Sequence, residues 1–67
     1  MNDKFEITVF MDIEQIGDRT WYRVQNGATG DFSATREIEQ AKNTAAAYVR
    51  SQMDKAGRAY HMGRSLQ

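Results

Sequence analysis

Apolar and polar residues alternate along the first part of the chain. Over 5–14 every second residue is apolar, at Phe5, Ile7, Val9, Met11 and Ile13. A period of two predicts a β-strand with one face against a core. Gly17 favours a turn, and the β-rich run 20–25 then predicts a second strand in an antiparallel hairpin with the first.

The expected register of this hairpin follows from the parity of its two strands. A two- or four-residue loop here keeps the apolar residues of both strands on one face, which we call the inner face. The expected inner pairs are Ile13 with Thr20, Met11 with Tyr22, and Val9 with Val24. On the opposite face, the outer face, the same register sets Phe10 opposite Arg23.

A short third strand and a long helix follow the hairpin. Asn26-Gly27 is typical of a tight turn, so a third strand is expected at 29–33. A helix is expected over 35–58, because apolar residues recur there every three or four positions. The expected apolar stripe consists of Ile38, Ala41, Ala45, Val49, Met53, Ala56 and Tyr60. The tail 62–67 is expected to be frayed.

These elements predict one α+β domain, 1–67, with a three-stranded antiparallel β-sheet (β-β-β-α) and one long C-terminal helix on the inner face. A chain of 67 residues buries only a small core, and it has no cysteine for a disulfide. The absence of cysteine favours a reducing, cytoplasmic setting. No run of residues has the length and apolar character of a membrane span.

Two loop lengths at the second hairpin place Phe32 on different faces. A two-residue loop pairs Phe32 with Trp21 on the outer face. A three-residue loop pairs Phe32 with Tyr22 on the inner face and sets Asp31 opposite Arg23 outside. We expect the three-residue loop, because a neighbouring glycine can ease a bulge there.

The outer face is the predicted partner-binding surface, since Trp, Phe and Arg are residue types that anchor protein interfaces. The candidate residues are Phe10, Asp12, Glu14, Trp21, Arg23 and Asp31. Their carboxylates favour a protein partner over RNA, because surfaces that stack nucleic-acid bases are normally surrounded by basic residues. The alternative is that an aromatic residue pairs with Arg23 only to stabilise the sheet.

Charge is distributed unevenly, although the formal net charge is zero. Residues 1–41 hold eight acids and four bases, whereas 42–67 hold five bases and one acid. The acidic part can occupy a basic site on a nucleic-acid-handling protein. The basic part offers a nucleic-acid contact through Arg50, Lys55, Arg58 and Arg64. The same asymmetry can be explained without a partner. Charged side chains are normal on a surface in contact with water, and acids near the start of a helix and bases near its end stabilise the helix dipole.

The first strand is predicted to lie at an edge of the sheet. It is long and has no proline or lysine in its middle, so its edge favours pairing with another strand. That strand can belong to a second copy, which gives a homodimer with a six-stranded sheet, or to another protein. Alternatively, Glu6, Asp12 and Glu14 carry enough charge to keep the chain monomeric.

No catalytic, cofactor or metal site is expected. His61 is the single histidine and there is no cysteine to accompany it as a ligand. The serines lack the sequence context of an activated nucleophile, and the glycines at 26–30 form a turn rather than a phosphate loop. The sequence therefore predicts a protein that is not an enzyme.

Two resemblances suggest a class of function. The strands, the glycine-bearing turn and the helix entry 34–41 resemble the small HicB-type antitoxin domains over about 5–49, and this implies a toxin partner. In size, charge and lack of motifs, the chain is also similar to small phage-encoded inhibitors of bacterial defence, including anti-CRISPR proteins, which implies action by surface occlusion. The expected function is a non-catalytic protein-binding inhibitor or regulator. The alternative is a HicB-like antitoxin or a small nucleic-acid-binding regulator.

Overall fold

The computed structural model describes the backbone of residues 4–65 and the side chains of residues 4–58. The three strands are β1 (Val9–Ile16), β2 (Arg19–Asn26) and β3 (Phe32–Thr35), and the helix is α1 (Ile38–Ser65). The strands form one antiparallel sheet in the order β1-β2-β3, and α1 packs on its inner face. The predicted α+β fold, three strands followed by one long helix, is confirmed.

The first hairpin turns one residue later along the chain than expected. Ile16 pairs with Arg19 across a two-residue loop in which Gly17 has a φ of 65°. Positive φ at the first loop position alone is the mark of a type II′ turn, and glycine adopts it without strain. The register therefore differs by two residues from the expected one, so that Ile13 lies opposite Tyr22. Because the shift is even, the inner and outer faces keep their predicted members.

The second hairpin has a four-residue loop, so the expected three-residue loop is wrong. The Asn26 side chain determines its shape, because Asn26 Oδ1 accepts hydrogen bonds from the Ala28 and Thr29 amides at 2.8 and 3.2 Å. The Asn26 amide also donates to the Asp31 carbonyl at 2.8 Å. Phe32 consequently lies opposite Gln25 and on the outer face, not inside against Tyr22.

Helix α1 begins at Ile38, three residues later than the expected start. The Thr35 hydroxyl accepts a hydrogen bond from the Glu37 amide at 3.1 Å and donates one to Gln40 Oε1 at 3.2 Å, which holds the entry turn. The helix continues to Ser65 and therefore includes most of the tail, 62–67, that was expected to be frayed. The last two residues of that tail lie outside the described residues.

The buried stripe of α1 is narrower than the apolar pattern predicts. Ala41 is fully buried, and Ala45, Val49 and Ala56 are half-buried. In contrast, Ile38 and Met53 are 48% and 58% exposed, so their expected place in the core is wrong. The side chain of Tyr60 lies outside the described residues. The physical reason is that α1 lies mainly over β2 and β3 and touches β1 least, so one flank of the stripe has no sheet beneath it.

The apolar core is small. Among the described side chains, Val24 and Ala41 are the fully buried apolar ones, with relative exposures of 1% and 0%. On the inner face of β1, Met11 and Ile13 remain 51% and 69% exposed. The apolar area that α1 and the sheet bury against each other is thus limited, and the fold needs further interactions to fix the helix.

A polar contact at Gln52 supplies that additional attachment. Gln52 Oε1 accepts a hydrogen bond from the Thr8 amide at 3.0 Å, and Gln52 Nε2 donates to the Thr8 carbonyl at 2.8 Å. The same Nε2 donates to Asn26 Oδ1 at 3.0 Å. Gln52 and Asn26 are only 8% and 2% exposed, and no buried side-chain nitrogen or oxygen in the described part of the chain is unpaired. One side-chain amide therefore joins α1 to the start of β1 and to the second hairpin.

We expect Gln52→Ala to lower the free energy of unfolding by about 2 to 4 kcal/mol, because it removes three hydrogen bonds and leaves the part-buried Thr8 amide without a partner. The measurement is urea denaturation at one protein concentration, followed by circular dichroism. Ser51→Ala, at the exposed neighbouring position, is the control and should change stability by less than about 0.5 kcal/mol. Gln52→Glu should not restore stability, since one of its carboxylate oxygens would lie against the Thr8 carbonyl oxygen and Asn26 Oδ1, which are both acceptors. Equal stability of the Ala variant and the native chain would contradict the role of Gln52.

The close approach of the second hairpin to Thr8 gives a paired glycine test. A Cβ on Gly27 would lie 2.7 Å from the Thr8 carbonyl oxygen, whereas a Cβ on Gly57 meets nothing within 4 Å. We expect Gly27→Ala to destabilise the protein by about 1 to 3 kcal/mol through overpacking against backbone. Gly57→Ala should stabilise the helix by about 0.5 to 1 kcal/mol. The same denaturation assay measures both, and a neutral or stabilising Gly27→Ala would show that the hairpin does not contact Thr8.

Candidate partner-binding face

The outer face of the sheet is not covered by the helix. Three residues form one row across its strands, with Gln25 of β2 between Phe10 of β1 and Phe32 of β3. Phe10 is 58% exposed and Phe32 is 59% exposed. Two large aromatic side chains thus stand on either side of a polar side chain on a sheet surface, and water contacts both.

A network of ion pairs lies beside this aromatic row. Arg23 Nε contacts Asp12 Oδ1 at 2.8 Å, and Arg23 Nη1 contacts Glu14 Oε2 at 2.8 Å. The hydrogen bond to Asp12, with the charges of both carboxylates, raises the pKa of Arg23 above its ordinary value. All three groups are partly exposed, so the network contributes little to stability, but it holds the guanidinium in one orientation.

The structure brings together five of the six residues predicted for this face. Trp21 pairs with Glu14 and is half-buried next to the ion-pair network. Asp31 does not join them, because it precedes β3 at the end of the hairpin loop and pairs through its backbone with Asn26. Its expected position opposite Arg23 is wrong, and Ala34 occupies that position.

Phe32 is a further candidate partner-binding residue of the outer face. The expected three-residue loop would place it on the inner face instead. The signal that could have corrected this is Asn26, whose side chain caps the amides of a longer loop. With four loop residues, alternation along β3 puts Phe32 on the same face as Phe10.

The carboxylates of the outer face are largely balanced by its own bases. Asp12 and Glu14 share Arg23, and Arg19 lies at the end of the same strand. The acidic character suggested by the whole first part of the chain is therefore weaker on this face. Its aromatic residues are the more distinctive feature.

The side chains of Arg50, Lys55 and Arg58 are spread over a wide arc of α1. At 100° per residue, Arg50 and Lys55 lie about 140° apart around the helix, and Arg58 lies between them. Lys55 lines an open, mainly apolar cavity of about 340 Å³ together with Ile7 and Ala56, whereas Arg50 points to solvent. Arg58 Nε donates to the Asp54 carbonyl at 3.4 Å. The backbone of Arg64 lies in α1, and its side chain is outside the described residues.

Metal sites and membrane-spanning helices are two further kinds of functional feature. Within the described residues, no group of three or more His, Cys, Asp or Glu side chains is arranged to hold a metal ion. No helix in that part of the chain combines the length and the apolar character needed to cross a membrane.

Comparison of the chain with protein-family models, with curated proteins and with solved structures gives no match in any of the three. The surfaces of the molecule, chiefly the outer face, are therefore the basis for a proposal on function.

Proposed function

We propose that the protein is a small non-catalytic inhibitor or regulator that binds another protein through the outer face and acts by occluding a surface of that partner. The observation that supports this most is the exposed aromatic pair, Phe10 and Phe32, on a sheet face that the helix leaves open. Aromatic residues with an oriented arginine are typical anchors of protein interfaces.

The chemistry of the face favours a protein over a nucleic acid. Stacking aromatic residues that bind bases are normally accompanied by unpaired lysine or arginine for the phosphates. Here Arg23 is already engaged by Asp12 and Glu14, which would repel phosphates close to the aromatic row. A partner with an apolar groove and polar rim matches this surface better.

The concrete form of the proposal is an anti-defence protein of the phage type, similar in kind to anti-CRISPR proteins, acting in the cytoplasm on a nucleic-acid-handling enzyme. Homodimerisation through β1 is part of the proposal. A HicB-like antitoxin, or a small regulator that binds nucleic acid through the basic helix, is the alternative. The spread of Arg50, Lys55 and Arg58 around α1 makes the nucleic-acid alternative weaker.

An affinity capture experiment from lysate of the native host compares the proposal with its alternative. The double variant Phe10→Ala/Phe32→Ala should lose the protein that the native chain retains, because it removes the exposed anchors. The matched control, Arg50→Ala/Arg58→Ala on α1, should retain it with unchanged yield. Both pairs of residues are exposed, so circular dichroism should show native folding in both variants.

The opposite pattern would contradict the proposal. If the helix variant loses the captured material, and nuclease treatment releases it from the native chain, the protein is a nucleic-acid binder. If both variants capture the same protein as the native chain, the outer face is not the binding site.

A further inference from the structure

The single chain exposes more surface than a compact protein of its size. Its accessible surface is 5520 Å² and its mass is 7.7 kDa. A compact monomer of that mass is expected to expose about 4,300 Å², so the excess is roughly 1,200 Å². A standard protein interface buries about 800 Å² on each partner. This excess is summed over the whole chain, so the exposed residues of β1, and not the total area, locate the interface.

Much of the uncovered apolar surface lies on one side of the inner face. Met11 and Ile13 of β1 are 51% and 69% exposed there. Helix α1 starts beside the end of β3 and reaches Asn26 through Gln52, so it runs in the direction of β2. The right-handed turn of a helix with that direction places Met53 on its β1 flank, where it is 58% exposed.

The edge of β1 also has free backbone groups. In a two-residue hairpin the residues next to the loop are a hydrogen-bonded pair, and such pairs then alternate along the strands. Ile16 is the loop-flanking residue, so the even-numbered residues of β1 bond to β2 and the odd-numbered residues point their N–H and C=O groups outward. The hydrogen bond from the Gly27 amide to the Thr8 carbonyl, at 2.8 Å, fits this alternation. Met11 and Ile13 therefore combine exposed side chains with outward backbone groups.

We infer that a second copy of this chain covers this region, in a twofold-symmetric dimer in which the two β1 strands pair antiparallel near Met11. The twofold axis is perpendicular to the sheet, so the six-stranded sheet carries both helices on one face. This inference rests on the homodimerisation through β1 proposed above and assigns the centre of the pairing and its contacts.

Pairing around Met11 sets Val9 of one copy opposite Ile13 of the other. Val9 follows Thr8, the residue that Gln52 of α1 holds, so this is where the helix approaches β1. Ile13 of each copy consequently comes beneath the other copy's helix, next to Met53. On the outer face the same centre sets Phe10 opposite Asp12, and so avoids placing Asp12 opposite itself.

The other sheet edge does not offer an equivalent surface. Strand β3 has four residues compared with eight in β1, and α1 packs over it. The proposed interface joins apolar residues of one copy to the same residues of the other, which is the complementarity that a twofold dimer requires. The outer face stays open, and the dimer presents two copies of it side by side.

Sedimentation equilibrium of the full chain over the micromolar range tests the inference. The expected mass is twice 7.7 kDa. Ile13→Asp should weaken dimerisation by at least about 100-fold, because it would bury an unpaired carboxylate in each half of the interface. Phe32→Asp is the matched control, and it should leave the dimer unchanged because Phe32 lies on the outer face of β3, away from the β1 edge.

A cross-linking variant keeps the inference testable if Ile13→Asp fails to fold. The chain has no native cysteine, so Met11→Cys should form an intermolecular disulfide under mild oxidation, and Ala34→Cys on β3 should not. A native chain that sediments as a monomer would overturn the inference, as would equal cross-linking at both positions. Loss of the dimer in Phe32→Asp would assign dimerisation to the outer face instead. Since capture by the outer face is measured separately, binding of a partner protein and dimerisation through β1 can fail independently.

Discussion

The hydrogen bonds of the Gln52 side-chain amide determine how the helix lies on the sheet. With two fully buried apolar side chains among the described residues, packing alone specifies the helix position weakly. Gln52 pairs with both the N–H and the C=O of Thr8, as a neighbouring strand would, and also bonds Asn26. The buried Gln52 amide would be costly to leave unpaired, and it finds all of these partners only where the helix lies in its present position.

This arrangement explains which surfaces remain available for partners. Because Gln52 holds α1 over β2 and the start of β1, the middle of β1 keeps Met11 and Ile13 uncovered on the inner face. No element in the described part of the chain covers the outer face, and Phe10 is exposed there. The molecule thus has one surface suited to a second copy and, on the other side of the same sheet, one suited to a different protein.

The parts of the fold that depend on periodicity could be predicted from the sequence. Alternation along β1 assigned Phe10 and Met11 to opposite faces, and an even register shift preserves that assignment. The loop lengths could not be predicted, because they depend on Gly17 adopting positive φ and on the Asn26 side chain bonding to loop amides. The role of Gln52 could not be predicted either. A glutamine between apolar helix positions is normally expected to be exposed, and its partner Thr8 is 44 positions away in the sequence.

Amide hydrogen exchange at Thr8, followed by NMR, tests the central role of the Gln52 contact most directly. Thr8 precedes β1, and its amide donates to Gln52 Oε1. We expect this amide to be protected from exchange although it lies outside the strands, because it opens only when Gln52 and the helix leave the sheet, whereas the Val24 amide is held by the pairing of β2 with β3. Exchange of the Thr8 amide at the rate of an unstructured chain, while Val24 stays protected, would contradict it.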